Sequence, residues 1–162
     1  MNKSSVLVIF FYLALVVSSY GAASSDSSSS SNYDKGASLI KKAKKLESKG
    51  KIEKANKRYE KAFEYLLKSN EKNPNQADTL NYLGFALRKL GNFEEAEKYY
   101  LQGLNIKPYH NGINEYLGEL YVATGRIELA KERLDILKNC NCEEFKELKE
   151  IIEGKNNISG TP

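Results

Sequence analysis

Between Ala77 and Pro108 apolar residues recur at helical spacing in two runs, and a single break at Gly91-Asn92 separates them. Leu80, Leu83, Ala86, Leu87 and Leu90 form the first run; Phe93, Ala96, Tyr99, Tyr100, Gly103 and Leu104 form the second. Residues three and four apart share one face of a helix, so the stretch predicts two antiparallel helices joined by a tight turn. Gly84 and Ala96 are small where a large side chain would hold the two backbones apart, which places them at the closest approach. Such a hairpin exposes an apolar face that it cannot bury alone, and therefore has to stack on copies of itself.

The copies are present. Aligning Gly50 with Gly91 brings Leu39, Leu46, Ile52, Ala55, Tyr59 and Ala62 onto Leu80, Leu87, Phe93, Ala96, Tyr100 and Gly103, an offset of 41 residues. A third copy follows at an offset of 34, with Leu117-Gly118, Tyr121, Gly125, Ile127, Ala130 and Leu134 on the matching positions. The pattern Leu83-Gly84, Gly91, Phe93, Ala96, Tyr100 and Pro108 resembles the tetratricopeptide repeat, a helix-turn-helix unit with a period of about 34 residues. That resemblance implies an all-α, right-handed solenoid of about three repeats, at roughly 36–76, 77–110 and 111–142. The extra length of the first offset falls between Ala62 and Pro74, where seven residues add about two turns to the second helix. Asn73-Pro74 ends that helix, and Asn75 with Asp78 is expected to cap the next. Glu143 to Glu153 sets Phe145, Leu148, Ile151 and Ile152 on one face opposite Glu and Lys, the pattern of a closing helix over the last repeat. Lys155 to Pro162 is expected to be a tail.

The beginning of the chain has a different character. Met1 to Ala23 joins Lys3, an apolar run from Val6 to Val17 and a small-residue end, which is a signal-peptide pattern with cleavage after Ala23 or Gly21. The run is shorter than the roughly 18 residues that cross a bilayer; left uncleaved, the segment would tether the domain to a membrane. The expected location is therefore outside the cytoplasm, periplasmic or secreted if the source is bacterial. Ser-rich residues 24–35 are expected to be a flexible linker, because they cannot bury apolar surface to offset the cost of ordering.

In a stack of helix pairs the first helices turn towards a concave groove, and the family resemblance implies that protein or peptide ligands bind there. Asn81, Phe85, Arg88 and Lys89 in the second repeat, with Glu115 and Glu119 in the third, are the expected groove residues. Phe85 is either a ligand anchor or part of the contact with the next repeat. Some chaperone-binding relatives hold a terminal carboxylate with Lys, Asn and Arg; here Asn81, Phe85, Glu115 and Glu119 replace that set, and a mixed-charge extended peptide fits better.

Other chemistry is thinly supplied. A single His, no Trp and only two Cys leave little for acid-base catalysis, and no phosphate loop, nucleophile elbow or metal-ligand cluster appears. No enzyme activity, cofactor, metal or nucleic-acid partner is expected. His110 stands alone and is read as a surface or loop residue. The first repeat is basic, from Lys41 through Arg58, and the closing helix acidic; a solvated surface explains this, and attraction to a membrane surface is the alternative. Cys140 and Cys142 flank Asn141 in the link before the closing helix, where an internal disulfide, an intermolecular bridge, a redox pair and free thiols all remain open. The run Glu115 to Tyr121, followed by these cysteines and an acidic helix, is similar to small exported bacterial tetratricopeptide proteins. The reading reached is a protein-binding scaffold, with a thiol-disulfide redox protein and a membrane-surface adaptor as competing functions.

Overall fold

The computed structural model describes residues 31–155. The signal-like segment, most of the Ser-rich stretch and nearly all of the tail lie outside the described residues. Seven helices run in order: α1 (Asn32–Glu47), α2 (Ile52–Lys72), α3 (Ala77–Lys89), α4 (Phe93–Ile106), α5 (Asn111–Ala123), α6 (Ile127–Leu137) and α7 (Glu143–Ile152). They pack as pairs, α1 on α2, α3 on α4 and α5 on α6, and each pair rests on the next. Helix α7 lies against α5 and α6 and ends the stack.

Each hairpin turns by the same device. The N–H groups of Lys51, Asn92 and Arg126 donate to the carbonyls of Leu46, Leu87 and Tyr121, and the residue just before each donor is Gly50, Gly91 or Gly125 with φ of 68°, 82° or 75°. This is the closing hydrogen bond of a Schellman turn, which places one residue in the left-handed region. An added Cβ at any of the three glycines would meet no atom within 4 Å, so backbone conformation rather than space selects glycine there.

The inserted length in the first repeat sits where the sequence places it: α2 has 21 residues and α4 has 14. Two expectations near this repeat need correction. Asn32 to Lys35 are helical rather than linker, because Ser31 Oγ accepts from the Asp34 N–H at 3.1 Å while Asp34 Oδ2 accepts from the Ser31 N–H at 3.1 Å. That reciprocal capping box fixes the start of α1 within the polar segment. Asn75 does not cap α3 either: Gln76 occupies the cap position without a side-chain bond, and Asn75 adopts φ 60° with its Oδ1 accepting from Gln102 Nε2 at 3.2 Å.

The core is continuous. Tyr59, Ala62, Leu66, Leu80 and Leu83 form its first part, Tyr100, Ile113, Leu117 and Leu120 its second, and Phe63, Tyr99 and Tyr116 pack against both. Gly84 lies at its helix crossing as expected, since a Cβ there would fall 2.6 Å from Tyr100 Cε1 on α4. Gly118 holds the same register but has another neighbour: a Cβ there would meet Leu148 Cδ2 of α7 at 2.5 Å. The small residue of the third repeat thus admits the closing helix, and Leu148 is its one fully buried side chain. Gly118→Ala should lower stability to urea by about 1 to 3 kcal/mol through overpacking, and Leu148→Ala in the same protein should return part of that loss. Additive losses in the double variant would show that the two positions do not meet.

Candidate binding face

Asn81, Phe85 and Arg88 follow one another by about one helical turn along α3, with Lys89 next to Arg88, and Glu115 and Glu119 are one turn apart on α5. The structure brings them together, but against one another. Arg88 Nη1 lies 2.8 Å from Glu119 Oε2, with side-chain exposures of 3% and 11%. Phe85 is 2% exposed, with its ring centroid 4.7 Å from that of Tyr116 and 5.9 Å from that of Tyr59. The expectation that Phe85 stands open as an anchor is therefore corrected: it is packed between repeats, the second of the two roles open to it. The mixed-charge surface expected of Arg88, Lys89 and Glu119 is largely spent on internal pairs.

Registers explain the pairing. Lys44, Phe85 and Glu119 occupy equivalent positions of α1, α3 and α5, as do Glu47, Arg88 and Val122. Side chains at these levels meet across neighbouring first helices: Lys44 Nζ lies 5.5 Å from the Phe85 ring and 5.9 Å from the Tyr116 ring, and Glu47 Oε1 accepts from Lys89 Nζ at 2.7 Å. Glu47 Oε2 also accepts from the Tyr59 hydroxyl at 2.7 Å. Burial, and then this bond, push the Tyr59 phenol upward, while burial lowers the Lys89 ammonium.

Two polar atoms of α3 on this face, Asn81 Oδ1 and Arg88 Nε, are buried without a hydrogen-bond partner. Glu115 is 2% exposed, and its carboxyl is pushed up to about 10 by burial, by a hydrogen bond to Glu147 of α7, and by the charges of Glu119, Glu147 and Glu144. At neutral pH it holds a proton, which is what lets two carboxyl groups share a hydrogen bond.

Two contacts outside the expected set, His110 with Asp78 and Arg126 with Glu97, bind the repeats together. His110 caps α5, its Nδ1 accepting from the Ile113 N–H at 3.2 Å, while its Nε2 lies 3.0 Å from Asp78 Oδ1. With Nδ1 accepting, the neutral tautomer carries its proton on Nε2, and the histidine, a loop residue just before α5 as expected, also joins α5 to α3. Arg126 Nη1 and Nη2 donate to the two oxygens of Glu97 at 2.9 and 2.8 Å, a fork between α4 and the turn before α6. No local pattern could have marked these long-range contacts. Cys140 and Cys142 are bonded to each other, with Cα atoms 5.2 Å apart and Asn141 at φ 49° between them, in the link from α6 to α7.

Open cavities lie away from this face, among them a shallow one at the α3–α4 turn lined by Gly91, Phe93 and Glu95. Another, of about 590 Å³, is bordered by Tyr33, Lys72, Asn73, Asp78 and Thr79, where α1, α2 and α3 meet. A further one, about 290 Å³, is lined by Lys42, Lys45, Leu46, Lys49, Lys51 and Arg58 at the α1–α2 turn. Among the described residues no group of three or more His, Cys, Asp or Glu could hold a metal ion, and no helix is long and apolar enough to cross a membrane.

Helix pairs of this length, stacked through small-residue crossings, define a repeat solenoid. Residues 32–108 match the family model described as tetratricopeptide repeat, and the chain carries a tetratricopeptide repeat domain. Among solved structures it is similar to the second such domain of human RPAP3, determined with the HSP70 peptide SGPTIEEVD, at 18% identity and a TM-score of 0.52 over 75% of this chain and 98% of that one. It is also similar to the Arabidopsis OM64 tetratricopeptide domain, at 15% identity and 0.49 over 77% and 99%. The Yersinia enterocolitica secretion chaperone SycD, in complex with a peptide of the translocator YopD, gives 19% and 0.47 over 75% and 89%. No curated protein matches the chain.

The buried carboxyl makes stability depend on pH. Because the folded Glu115 keeps its proton and the unfolded one loses it near pH 4.3, its contribution is present in full below that value and falls as pH rises towards about 10. Glu115→Gln should therefore raise the thermal midpoint at pH 8 and flatten its decline between pH 5 and 9, measured by circular dichroism. A midpoint lowered equally at every pH would show that Glu115 is ionised in the fold. Arg88→Met should cost about 3 to 5 kcal/mol by stranding Glu119, and Arg88→Met with Glu119→Leu should recover most of it.

Proposed function

We propose that this chain is a protein- or peptide-binding scaffold that works outside the cytoplasm and holds an extended segment along α3 and α5. The observation that carries the reading is the pair of orphaned atoms, Asn81 Oδ1 and Arg88 Nε, both on α3 and facing the first helix of the next repeat. Buried polar atoms without partners are costly, and a peptide backbone offers both the N–H and the carbonyl that Asn81 and Arg88 lack. Entry requires side chains to move. Lys44 is exposed and lies across Phe85 and Tyr116 by its flexible stem, which makes it the side chain best able to swing aside. The human RPAP3 domain, described with a bound peptide, supports the same use of the fold. The signal-like pattern at residues 1–23 and the bonded cysteines support export, since such bonds persist in oxidising compartments.

The test is affinity capture with the full chain from an extract of its own cells, followed by titration of the captured segment as a synthetic peptide. Asn81→Ala should weaken the peptide about tenfold, and Arg88→Lys, which removes Nε and the stacked fork, should weaken it by at least as much while lowering the thermal midpoint. A peptide that binds both variants as tightly as the native protein places the site elsewhere. Intact mass of the exported protein should show loss of residues 1–23 or 1–21, and full alkylation of both cysteines without reductant would argue against an oxidising location.

A further inference from the structure

We propose that the α1–α2 turn is a docking site for an anionic phospholipid surface, with a lipid phosphate seated in the cavity lined by Lys42, Lys45, Lys49, Lys51 and Arg58. The inference is independent of the peptide face, which lies on other residues.

Charge is the first observation. From Lys41 to Arg58 the chain carries nine Lys and Arg against two carboxylates, Glu47 and Glu53, whereas the whole sequence has 25 against 21. The excess is not neutralised locally. Elsewhere on the surface, Lys98, Lys131, Lys138 and Lys146 pair with carboxylates three or four residues away. None of the five cations around the cavity has an ion-pair partner among the described residues. Glu47, the carboxylate nearest in sequence to Lys45 and Lys49, is turned inward to Tyr59 and Lys89. The C-terminal end of α1 offsets roughly half a charge and leaves most of the excess in place.

Shape and composition select the kind of anion. A cavity of about 290 Å³ with only Leu46 as an apolar lining residue suits a compact anionic head rather than an apolar ligand. Lysine ammoniums act as point charges towards phosphate, without the forked geometry that arginine gives to carboxylates. No aromatic side chain lines the cavity, so the stacking that a nucleic-acid strand needs is missing.

The surface beside the cavity points to a bilayer. Ile52, next to Lys51 at the start of α2, is 51% exposed, a large apolar side chain amid the lysines. A polybasic patch that presents an exposed apolar residue can pair with headgroups and place that residue at the acyl boundary. Free phosphate would use the ammoniums and leave Ile52 without a role.

The test is co-sedimentation of the full chain with phosphatidylcholine vesicles, with and without phosphatidylglycerol. Each lysine near an anionic surface is worth about fivefold in partitioning, so Lys45→Gln, Lys49→Gln and Lys51→Gln together should lower binding to the anionic vesicles by about a hundredfold. A control carrying Lys131→Gln, Lys138→Gln and Lys146→Gln removes the same charge elsewhere and should stay within about threefold of the native chain, since effects of distant charges are screened. Ile52→Asn should weaken binding to anionic vesicles without altering the thermal midpoint. Equal losses in the two triple variants would overturn the site in favour of net charge. Inorganic phosphate that abolishes vesicle binding, where chloride of matched ionic strength does not, would assign the cavity to free phosphate and overturn the membrane surface as its occupant. Binding that stays in place in all variants would assign it to residues outside the turn.

Discussion

The ion pair of Arg88 with Glu119 sets the conditions under which α3 and α5 can lie side by side. Both charges are almost withdrawn from water, and neither could stay there without the other, because an unpaired buried charge costs several kcal/mol. The pair therefore specifies a register more than it adds stability. A shift of one residue between the helices would strand a guanidinium beside the Phe85 and Tyr116 rings, which now flank it at 5.3 and 5.6 Å. The same logic runs one repeat earlier, where Glu47 meets both Tyr59 and Lys89. Polar contacts thus align the first helices, while Gly84 against the Tyr100 ring fixes the distance within the second pair.

The division between these tasks decides what could be read from the residues alone. Helix boundaries follow from periodicity and from glycines that accept positive φ, so the hairpins, their offsets and the longer α2 were legible without a structure. The capping box at Ser31 was also written locally, yet a run of serines reads as linker before the Asp34 return bond is recognised. The face was less legible. A position on a helix can be assigned to a groove by its phase, but phase does not say whether a neighbouring helix supplies a partner. Phe85, Arg88 and Glu119 had the right phase for a groove and were buried by contacts between repeats. Placing the three repeats in one register, so that Lys44, Phe85 and Glu119 share a level, was the available signal for this.

Gly118 shows how a single repeated residue can serve different ends. In the second repeat its counterpart Gly84 makes room for Tyr100 within the hairpin. In the third repeat the matching position on α6 holds Leu134, which is only half-buried, and the space above Gly118 is taken by Leu148 from α7. The closing helix thereby behaves as the second helix of an interior repeat would, filling a notch that the solenoid leaves at its end.

That closure also sets an electrostatic constraint on the end of the stack. Glu115 is buried beside Glu119, and helix α7 brings Glu144 and Glu147 towards it, so burial first and then these neighbours disfavour its charged form. Holding a proton on Glu115 resolves the conflict and adds a hydrogen bond to the cap, so the residue that resists ionisation most strongly is also one that joins α5 to α7. At the other end, α1 carries lysines that have no ion-pair partner among the described residues and remain in water, where screening makes like charges tolerable. The two ends of the solenoid therefore handle like charge in opposite ways, by protonation in the interior and by solvation at the turn.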